Sequence, residues 1–313
     1  MPEETLVEAA IRNWFPEAGR VLRCQRLGGG CISEAFRVET ERPADAPAEK
    51  DGAPAEDRPP ARILFVKRNA ASLQRNFACE ADGLRRLAEP QTIRVPRPLA
   101  TGTVENHAWL VTDWVEPGPR PQDFFSRFGR RLAELHRATR GQRIGLDDDN
   151  FLGSASQPNA AAGTWIEFVA LRRLGFQLKW ARDQGLADET LSRDVETIVN
   201  RLPQQLAGRE ETTSLLHGDL WSGNYLCDTD GQPVIIDPAA YYGCREAEFG
   251  MIRLFGGCPP EFEASYEATW PMPDGWRRRS DVYRLYHLLN HLNLFGGGYA
   301  AQCRSAAAEI LRG

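Results

Sequence analysis

The 313-residue sequence lacks the features that mark membrane, secreted and zinc-binding proteins. No apolar run approaches the roughly 20 residues that a membrane-spanning helix needs. The seven cysteines are odd in number and include no Cys-x-x-Cys pair, so neither a disulfide framework nor a zinc site is expected. The first 15 residues contain Glu3 and Glu4 in an amphipathic pattern and do not resemble a signal peptide. We therefore expect a cytoplasmic protein in a reducing compartment, with no membrane partner.

An excess of basic residues is also missing. The 38 Lys and Arg are outnumbered by 43 Asp and Glu, which gives a net charge of −5. Proteins that bind nucleic acids or anionic membranes usually carry a basic surface, so no nucleic-acid partner is expected. The content of 42% hydrophobic and 26% charged residues is ordinary for a globular enzyme, and the length allows about two domains. Nothing in the sequence indicates an oligomeric state.

Two short apolar runs in the second half of the chain each end in polar residues. We interpret Leu215-Leu216 and Val234-Ile235-Ile236 as two strands of one ribbon. Asp219 and Asn224 lie five residues apart after the first run, and Asp237 follows the second. In kinases, an Asp orients the attacking hydroxyl while an Asn on the same loop and a later Asp bind Mg²⁺ at the phosphates of ATP. The spacing favours this chemistry, and a purely structural origin is the alternative.

A glycine-rich turn precedes a predicted strand in the first half of the chain. Glycines allow a tight turn whose backbone N–H groups point at phosphates, and a hydroxyl adds another donor. For the glycines alone, a flexible turn is an equally good interpretation. The candidate nucleotide-binding turn consists of Gly28, Gly29, Gly30, Cys31, Ile32 and Ser33.

A lysine and a glutamate follow in the order found in kinases. The predicted strand 62–67 ends in Lys67, an ammonium on a mostly apolar strand that needs an anionic partner. In the predicted helix 73–88, Glu80 shares a face with Phe77 and other apolar residues. Either residue alone could be solvated at the edge of its element. Together with the glycine turn and the Asp219 loop, they predict the ion pair that binds ATP phosphates.

The distribution of these patterns predicts an α+β fold with two lobes. Residues 1–116 form a small N-lobe with an antiparallel sheet, and residues 117–313 form a larger helical C-lobe with the catalytic and metal-binding loops. Within the N-lobe, residues 41–60 hold five Pro, five Ala, nine charged residues and one Gly. Such a segment has nothing to bury, so we expect a disordered insertion.

Several motifs resemble the fructosamine kinases, also called ketosamine 3-kinases, which have a protein-kinase-like fold and are related to aminoglycoside phosphotransferases and choline kinases. The resemblance spans nearly the whole chain except residues 41–60. It rests on His-Gly-Asp-Leu-Trp-Ser-Gly-Asn at 217–224, on Asp-Pro-Ala-Ala-Tyr-Tyr-Gly-Cys-Arg-Glu at 237–246, and on Asn150-Phe-Leu-Gly with the later Gln157 and Asn159. It rests also on the run at 283–296. Glu248-Phe249-Gly250 departs from the expected pattern.

The resemblance implies roles for individual residues. Asp219 would be the catalytic base, Asn224 and Asp237 the metal ligands, and Lys67 the phosphate-binding lysine held by Glu80. The adenine hinge would be Asp113, Trp114 and Val115, which would contact the base through backbone groups. A ketosamine consists of a sugar and an amine. We expect the indole of Trp221 to cover the apolar face of the sugar. We expect Glu246 and Glu248 to receive the amine, although the two glutamates could instead cap the following helix.

The implied reaction is transfer of the γ-phosphate of ATP, with Mg²⁺, to a sugar hydroxyl of a small-molecule or protein-bound ketosamine. Breakdown of the product would release the amine, a deglycation repair. The alternatives are an aminoglycoside or choline phosphotransferase and a nucleotide-binding pseudokinase. A protein kinase is disfavoured because Trp221 replaces the usual lysine and no Ala-Pro-Glu motif follows.

The composition of the insertion generates a first prediction. Deletion of residues 42–59 should leave the melting temperature and the turnover nearly unchanged. A segment of this composition buries no apolar area, and the entropy of loop closure varies slowly with loop length. Thermal unfolding and steady-state kinetics of the deletion variant measure this. Loss of soluble protein would contradict it.

Overall fold

The computed structural model describes residues 3–16, 20–28, 33–41 and 62–313. The chain divides into two compact units. The first comprises the residues up to Arg85 together with Pro96–Glu116, and the second comprises Arg86–Val95 together with Pro117–Gly313. The chain thus changes unit after Glu116, where the sequence places the link between lobes, but residues 86–95 cluster with the second unit. The expected insertion lies outside the described residues except for Glu41.

The first unit contains the predicted antiparallel sheet. Its five strands lie in the order β1-β2-β3-β5-β4, and every neighbouring pair is antiparallel. Two α-helices and a 3₁₀ turn accompany the sheet. In chain order the elements are α1 (Glu3–Trp14), β1 (Val21–Leu27), β2 (Glu34–Thr40), β3 (Arg62–Ala70), the 3₁₀ turn Ala71–Leu73, α2 (Gln74–Ala88), β4 (Pro98–Val104) and β5 (His107–Asp113).

Alternation along the central strands assigns the two faces of this sheet. Successive side chains of a strand point to opposite faces. On β3, Leu64 and Val66 are fully buried in one apolar cluster with Val7 and Ile11 of α1. The next residue, Lys67, therefore points to the opposite face, where α2 packs on β5 in a smaller apolar cluster. The alternation directs the lysine toward α2.

The second unit is mainly helical, as predicted. Its helices are α3 (Phe124–Ala138), α4 (Trp165–Phe168), α5 (Gly175–Asp183), α6 (Glu189–Asn200), α7 (Leu202–Gln205), α8 (Glu248–Phe255), α9 (Pro260–Thr269), α10 (Trp276–Phe295) and α11 (Ala300–Arg312), with a π-helix at Val169–Leu174 and 3₁₀ turns at Arg245–Ala247 and Gly297–Tyr299. Its strands are β6 (Asn150–Leu152), β7 (Ala155–Gln157), β8 (Ser214–Leu216), β9 (Tyr225–Cys227), β10 (Pro233–Ile235) and β11 (Tyr241–Gly243). No helix in the described part of the chain is long and apolar enough to cross a membrane.

The prediction of one ribbon in this unit is wrong. The two apolar runs do not pair with each other: β8 pairs with β11, and β10 pairs with β9, both antiparallel. The β9–β10 hairpin closes over a short turn in which the Asp228 carboxylate accepts the N–H groups of Asp230 and Gln232. A short connection favours this local pairing because little entropy is lost in closing it. Both ribbons still present the predicted polar loops.

Helix α3 packs against α9 through a glycine. A Cβ atom at Gly129 would lie 2.1 Å from the carbonyl oxygen of Phe262, so the two helix backbones approach more closely than a side chain permits. Phe128 and Phe262 stack edge to face beside this contact, with ring centroids 5.0 Å apart. Gly129 therefore fixes the separation of two core helices.

We predict that Gly129→Ala lowers the stability of the protein. In an exposed helix this change would stabilise by roughly 1 kcal/mol through helix propensity. Here the clash with the Phe262 backbone should outweigh that gain, since overpacking costs about 1–3 kcal/mol. Gly141→Ala is the matched control, because nothing lies within 4 Å of a Cβ built there. Thermal unfolding measures both variants, and equal melting temperatures would contradict the account.

Candidate active site

The loop between β8 and β9 is fixed to the segment that follows β10. The Ile236 N–H donates to the Asn224 carbonyl at 3.0 Å, and the Ala239 N–H donates to the His217 carbonyl at 2.9 Å. These bonds join both ends of the loop to the residues on either side of Asp237. The structure thereby brings together the second unit's three predicted catalytic and metal-binding residues.

Gly218 permits this close approach. Its φ is +81°, and a Cβ atom there would lie 2.3 Å from the Ala239 carbonyl oxygen. Both the left-handed backbone and the contact exclude a side chain. The glycine of the His-Gly-Asp motif is thus a steric requirement of the turn that presents Asp219.

Asn224 holds the Asp219 side chain in place. Its Nδ2 donates to the Asp219 carbonyl at 2.7 Å and to Asp219 Oδ2 at 3.0 Å. Burial raises the pKa of the Asp219 carboxyl well above its ordinary value; the Asn224 hydrogen bond opposes this, while the negative charges of Asp237 and Glu248 add to it. A carboxyl destabilised in this way accepts a proton more readily than an exposed one, which suits a group that orients a hydroxyl.

The Glu248 carboxylate binds the backbone of the His-Gly-Asp motif. Its Oε2 accepts the His217 N–H at 2.6 Å and its Oε1 accepts the Gly218 N–H at 3.0 Å. The carboxylate is 1% exposed. Burial alone would raise the pKa of Glu248, but the neighbouring His136 side chain and the His217 N–H hold it below its ordinary value. An ionised carboxylate thus anchors the two residues that precede Asp219.

The hydrogen bonds of His217 define its protonation state. Burial lowers the pKa of His217, so the ring is neutral near pH 7. Nε2 lies 2.8 Å from the Ile236 carbonyl oxygen, and Nδ1 accepts the Asp219 N–H at 3.2 Å. This pattern fits the tautomer with its proton on Nε2. His217 is therefore a structural bridge between the loop and the Asp237 segment.

The predicted ion pair of the first unit is confirmed. Lys67 Nζ donates to Glu80 Oε1 at 2.7 Å, and both side chains are largely buried, at 10% and 16% exposed. In the neighbouring turn, Asn69 Nδ2 donates to the Ser33 hydroxyl at 3.0 Å, and Gly28 is uncrowded. Four predicted members of the nucleotide turn, namely Gly29, Gly30, Cys31 and Ile32, lie outside the described residues.

The predicted hinge is held by contacts within the first unit. The Asp113 N–H donates to the Arg97 carbonyl at 3.1 Å, and Asp113 Oδ1 accepts the Arg97 N–H at 2.5 Å. Trp114 lies beside Phe65, with centroids 6.5 Å apart, and Val115 is 5% exposed. The side chains are thus engaged in the fold, which agrees with an expected role through backbone groups, and the contact with adenine stays a prediction.

Comparison with known proteins identifies the family. A family model described as fructosamine kinase matches residues 5–313. The chain belongs to the fructosamine kinase family. A Synechocystis protein named a probable ketoamine kinase is 43% identical over 293 residues, which cover 94% of this chain and 92% of the relative. A rice protein of the indica subspecies, named chloroplastic protein-ribulosamine 3-kinase, is 37% identical over 314 residues, 98% of this chain and 85% of the relative.

Solved structures agree with the fold of a fructosamine kinase family member. A Thermobifida fusca protein provisionally named a fructosamine-3-kinase superposes with a TM-score of 0.81 at 30% identity, covering 98% of this chain and 99% of the other. An aminoglycoside phosphotransferase in ternary complex with AMP-PNP and hygromycin B gives a TM-score of 0.65 at 19% identity over 98% of each chain. The second likeness supports the kinase-like fold alone. The predicted fold and family are confirmed.

The structure contradicts the substrate role expected for Glu246 and Glu248 in this family member. Glu246 is 0% exposed and forms a bidentate ion pair with Arg279, at 2.8 Å from Nε and 2.7 Å from NH2. Glu248 is equally buried and binds two backbone N–H groups. Neither carboxylate presents an oxygen to a substrate amine. For Glu248, the alternative of a role at the start of the helix describes its position better, because Glu248 is the first residue of α8.

Trp221 lies partly exposed on the catalytic loop. A Cβ atom at Gly223 would lie 2.5 Å from the indole ring, so the ring folds back over that glycine. On its other side the ring lies near Phe255, with centroids 5.8 Å apart. These contacts fix the orientation of the indole, and its role toward a sugar stays a prediction.

Sequence reasoning missed the use of three buried amides. Asn150 Nδ2 donates to the Ala240 carbonyl at 2.8 Å, and Gln157 Nε2 donates to the Ala239 carbonyl at 3.1 Å and to Asn150 Oδ1 at 2.7 Å. Asn159 Nδ2 donates to the same Asn150 oxygen at 2.6 Å. The segment after Asp237 is thus held by the amides of Asn150 and Gln157 as well as by the Ala239 N–H bond to the His217 carbonyl. The signal in the sequence is the presence of three amide side chains within residues 150–159, since buried amides need hydrogen-bond partners.

The residues around Asp219 fit a magnesium ion. Because Asn224 uses its Nδ2 for Asp219, its Oδ1 is the side-chain atom with which it can bind a cation. Asp237 supplies carboxylate oxygens from a left-handed backbone, φ +55°, which turns the chain sharply after β10. No cluster of three or more His, Cys, Asp or Glu ligands occurs in the described ranges. Mg²⁺ needs none, since it binds through one or two carboxylates plus phosphates and waters.

We predict that Glu248→Gln reduces both stability and turnover. A glutamine amide would turn its NH2 toward one of the two backbone N–H groups, and an unsatisfied buried donor costs about 1–3 kcal/mol. We expect at least a tenfold loss of kcat, on the order of what misplacement of a catalytic group causes. Because the folded-state pKa of Glu248 is lowered, its contribution is present at neutral pH and is lost as pH falls through that value. The wild-type advantage in melting temperature should therefore shrink in acid.

Glu309→Gln is the control for that experiment. The Glu309 carboxylate is 47% exposed and pairs with Arg284 at 2.7 Å, an exposed contact worth less than about 1 kcal/mol. If Glu248→Gln keeps the wild-type kcat and melting temperature, the carboxylate does not anchor the loop.

Proposed function

We propose that this chain is an ATP-dependent ketosamine 3-kinase, a phosphotransferase that acts on a sugar hydroxyl of small-molecule or protein-bound ketosamines. The observation that carries the proposal is the Asp219 carboxylate, held by Asn224 at 3.0 Å on an anchored loop, in a chain of the fructosamine kinase family. The names of the cyanobacterial and rice relatives support the choice of a ketosamine as acceptor.

The chemistry asked of the protein is positioning and charge neutralisation. The bond between the γ-phosphorus and the bridging oxygen of ATP breaks, and a bond forms from the substrate hydroxyl oxygen to that phosphorus. Asp219 accepts a hydrogen bond from the hydroxyl, orients its lone pair and receives its proton. Lys67, held by Glu80, offsets phosphate charge with its ammonium. Asp113, Trp114 and Val115 would contact the adenine through backbone groups, and the sequence from Gly28 to Ser33 would supply N–H groups for the phosphates.

Asn224 and Asp237 would hold Mg²⁺. When bound, the ion supplies charge neutralisation at the transferring phosphoryl group. The protein's own contribution is to fix the ligands, Asn224 through its bonds to Asp219 and Asp237 through the backbone turn that Ile236 and Ala239 tie to the loop.

The product would be a ketosamine 3-phosphate and ADP. Such a phosphorylated adduct is expected to break down and release the amine, so the reaction would serve deglycation. The expected cytoplasmic location stays a prediction.

Two alternative functions can be tested experimentally against this proposal. Aminoglycoside phosphotransferases share the fold at 19% identity, which carries no information on the acceptor. A pseudokinase would lack a competent residue at some catalytic position, yet the sequence has competent residue types at the motif positions Lys67, Asp219, Asn224 and Asp237.

One assay separates these functions. ADP release is measured with Mg-ATP alone and with a ribulosamine, a fructosamine, a kanamycin-type aminoglycoside and choline. We expect turnover with a ketosamine to exceed that with the other acceptors, and phosphorus NMR to place the phosphate on the C3 oxygen. Preference for the aminoglycoside or choline would reject the acceptor, and no turnover with any acceptor would favour the pseudokinase.

Asp219→Asn tests the catalytic assignment. The change keeps the size of the side chain but removes its capacity to accept the proton, so kcat should fall by at least about 100-fold while ATP binding and the melting temperature change little. Calorimetry with a non-hydrolysable ATP analogue measures the binding. Asp230→Asn, in the exposed turn of the neighbouring hairpin, is the control and should stay active. Activity of Asp219→Asn within threefold of the wild type would reject the assignment.

A further inference from the structure

Five aromatic rings form a continuous strip that begins on the catalytic loop. Trp221 lies 5.8 Å from Phe255, Phe255 lies 4.9 Å from His291, and His291 lies 5.5 Å from Phe295, all measured between ring centroids. Tyr299 completes the set at 5.2 Å from His291 and 6.2 Å from Phe295. We call these five residues the aromatic strip. All of them belong to the second unit.

Local structure fixes the strip against the loop. Phe255 is the last residue of α8, and the glycines that follow have φ of +67° and +94°. A Cβ atom at Gly257 would lie 2.5 Å from Ser222 Cβ, so this turn packs directly on the catalytic loop. His291 and Phe295 are one turn apart on α10 and share a face. The strip is therefore fixed to the catalytic loop at Trp221 and at the turn that follows Phe255.

The strip exposes apolar surface that the fold itself does not cover. Phe255 is 39% exposed and Phe295 is 56% exposed. Only two other large hydrophobic side chains in the described ranges are exposed to this extent, Leu22 and Leu171. Contiguous exposed aromatic surface next to a reaction site commonly binds a ligand. His291 adds no charge to the strip, because burial lowers its pKa.

A ketosamine has one part for which the site so far offers no partner. Its sugar hydroxyl must reach Asp219, while its amine and the carrier attached to that amine must leave the loop. The carboxylates expected to receive the amine, Glu246 and Glu248, are buried and already paired. Aromatic ring faces attract alkylammonium groups, and the carbon chain behind the nitrogen gains by packing on apolar rings.

We propose that the aromatic strip binds the amine-bearing carrier of the ketosamine, an alkylammonium or arylammonium group whose carbon chain lies along Phe255 and Phe295. This inference rests on the proposed function and specifies its substrate class. It makes Phe255 and Phe295 specificity-determining residues that act on carrier binding, whereas Asp219 acts on the transferred phosphoryl group.

The test compares two fructosamines that differ only in the carrier, one made from methylamine and one from hexylamine. For the wild type, KM for the hexylamine adduct should be about tenfold lower, since added methylenes on an apolar surface give discrimination of this order. In the Phe295→Ala variant, which keeps the contact between Phe255 and Trp221, this ratio should fall to about threefold or less. The KM for the methylamine adduct, the kcat for both substrates and the KM for ATP should stay at the wild-type values.

Leu22→Ala is the matched control, because Leu22 is 51% exposed on β1 and lies outside the strip. It should keep the wild-type ratio of KM values. An active wild type with equal KM for both adducts would overturn the inference alone. An equal loss of kcat on both adducts in the Phe295→Ala variant would also overturn it, because it would show that the strip only supports the loop. Absence of turnover on both adducts by the wild type would overturn the proposed function and this inference with it.

Discussion

The arrangement of the site depends on one buried carboxylate. Glu248 binds the N–H groups of His217 and Gly218, and those two residues set the position of Asp219. A carboxylate with almost no exposure needs such donors, since burying an uncompensated charge is costly. The loop in turn gains an anchor that a neutral residue could not supply. The first residue of a helix and the turn that carries the reactive group are therefore held by the same charge.

Each unit contains a buried ion pair of its own. Lys67 pairs with Glu80 in the first unit, and Glu246 pairs with Arg279 in the second. Asp219 differs from these carboxylates, because the hydrogen bond to its side chain comes from a neutral amide and its pKa is raised. When its surroundings disfavour the charged form of a carboxyl, binding of a proton or of a nearby cation lowers the free energy of the site. The proposed chemistry is thus assigned to a carboxyl that has no cationic side chain as its hydrogen-bond donor.

The sequence predicted what depends on local spacing and failed where pairing is non-local. The Lys67–Glu80 pair followed from strand alternation, helix periodicity and the kinase order of the motifs, and the placement of Asp219 and Asn224 at one site followed from their five-residue spacing on one loop. The pairing of β8 with β11 was not predicted, because three-residue strands carry no usable periodicity. Glu248 was misassigned for a related reason, since an acidic residue at a helix start normally indicates an exposed cap. Only its partners, 30 and 31 residues away, reveal that it is buried.

The choice of substrate depends on side chains whose identity the kinase-like fold does not determine. The fold alone does not fix the acceptor, since an aminoglycoside phosphotransferase that is 19% identical to this chain shares it. The residues that can distinguish acceptors therefore lie beside the anchored loop rather than within its hydrogen-bond network. Trp221 stands at that boundary, since it belongs to the loop by sequence and to the aromatic strip by contact with Phe255. If Trp221 covers the sugar as predicted and the strip binds the carrier as proposed, the indole lies between the two, and a shift of the carrier along the strip would also move the acceptor hydroxyl.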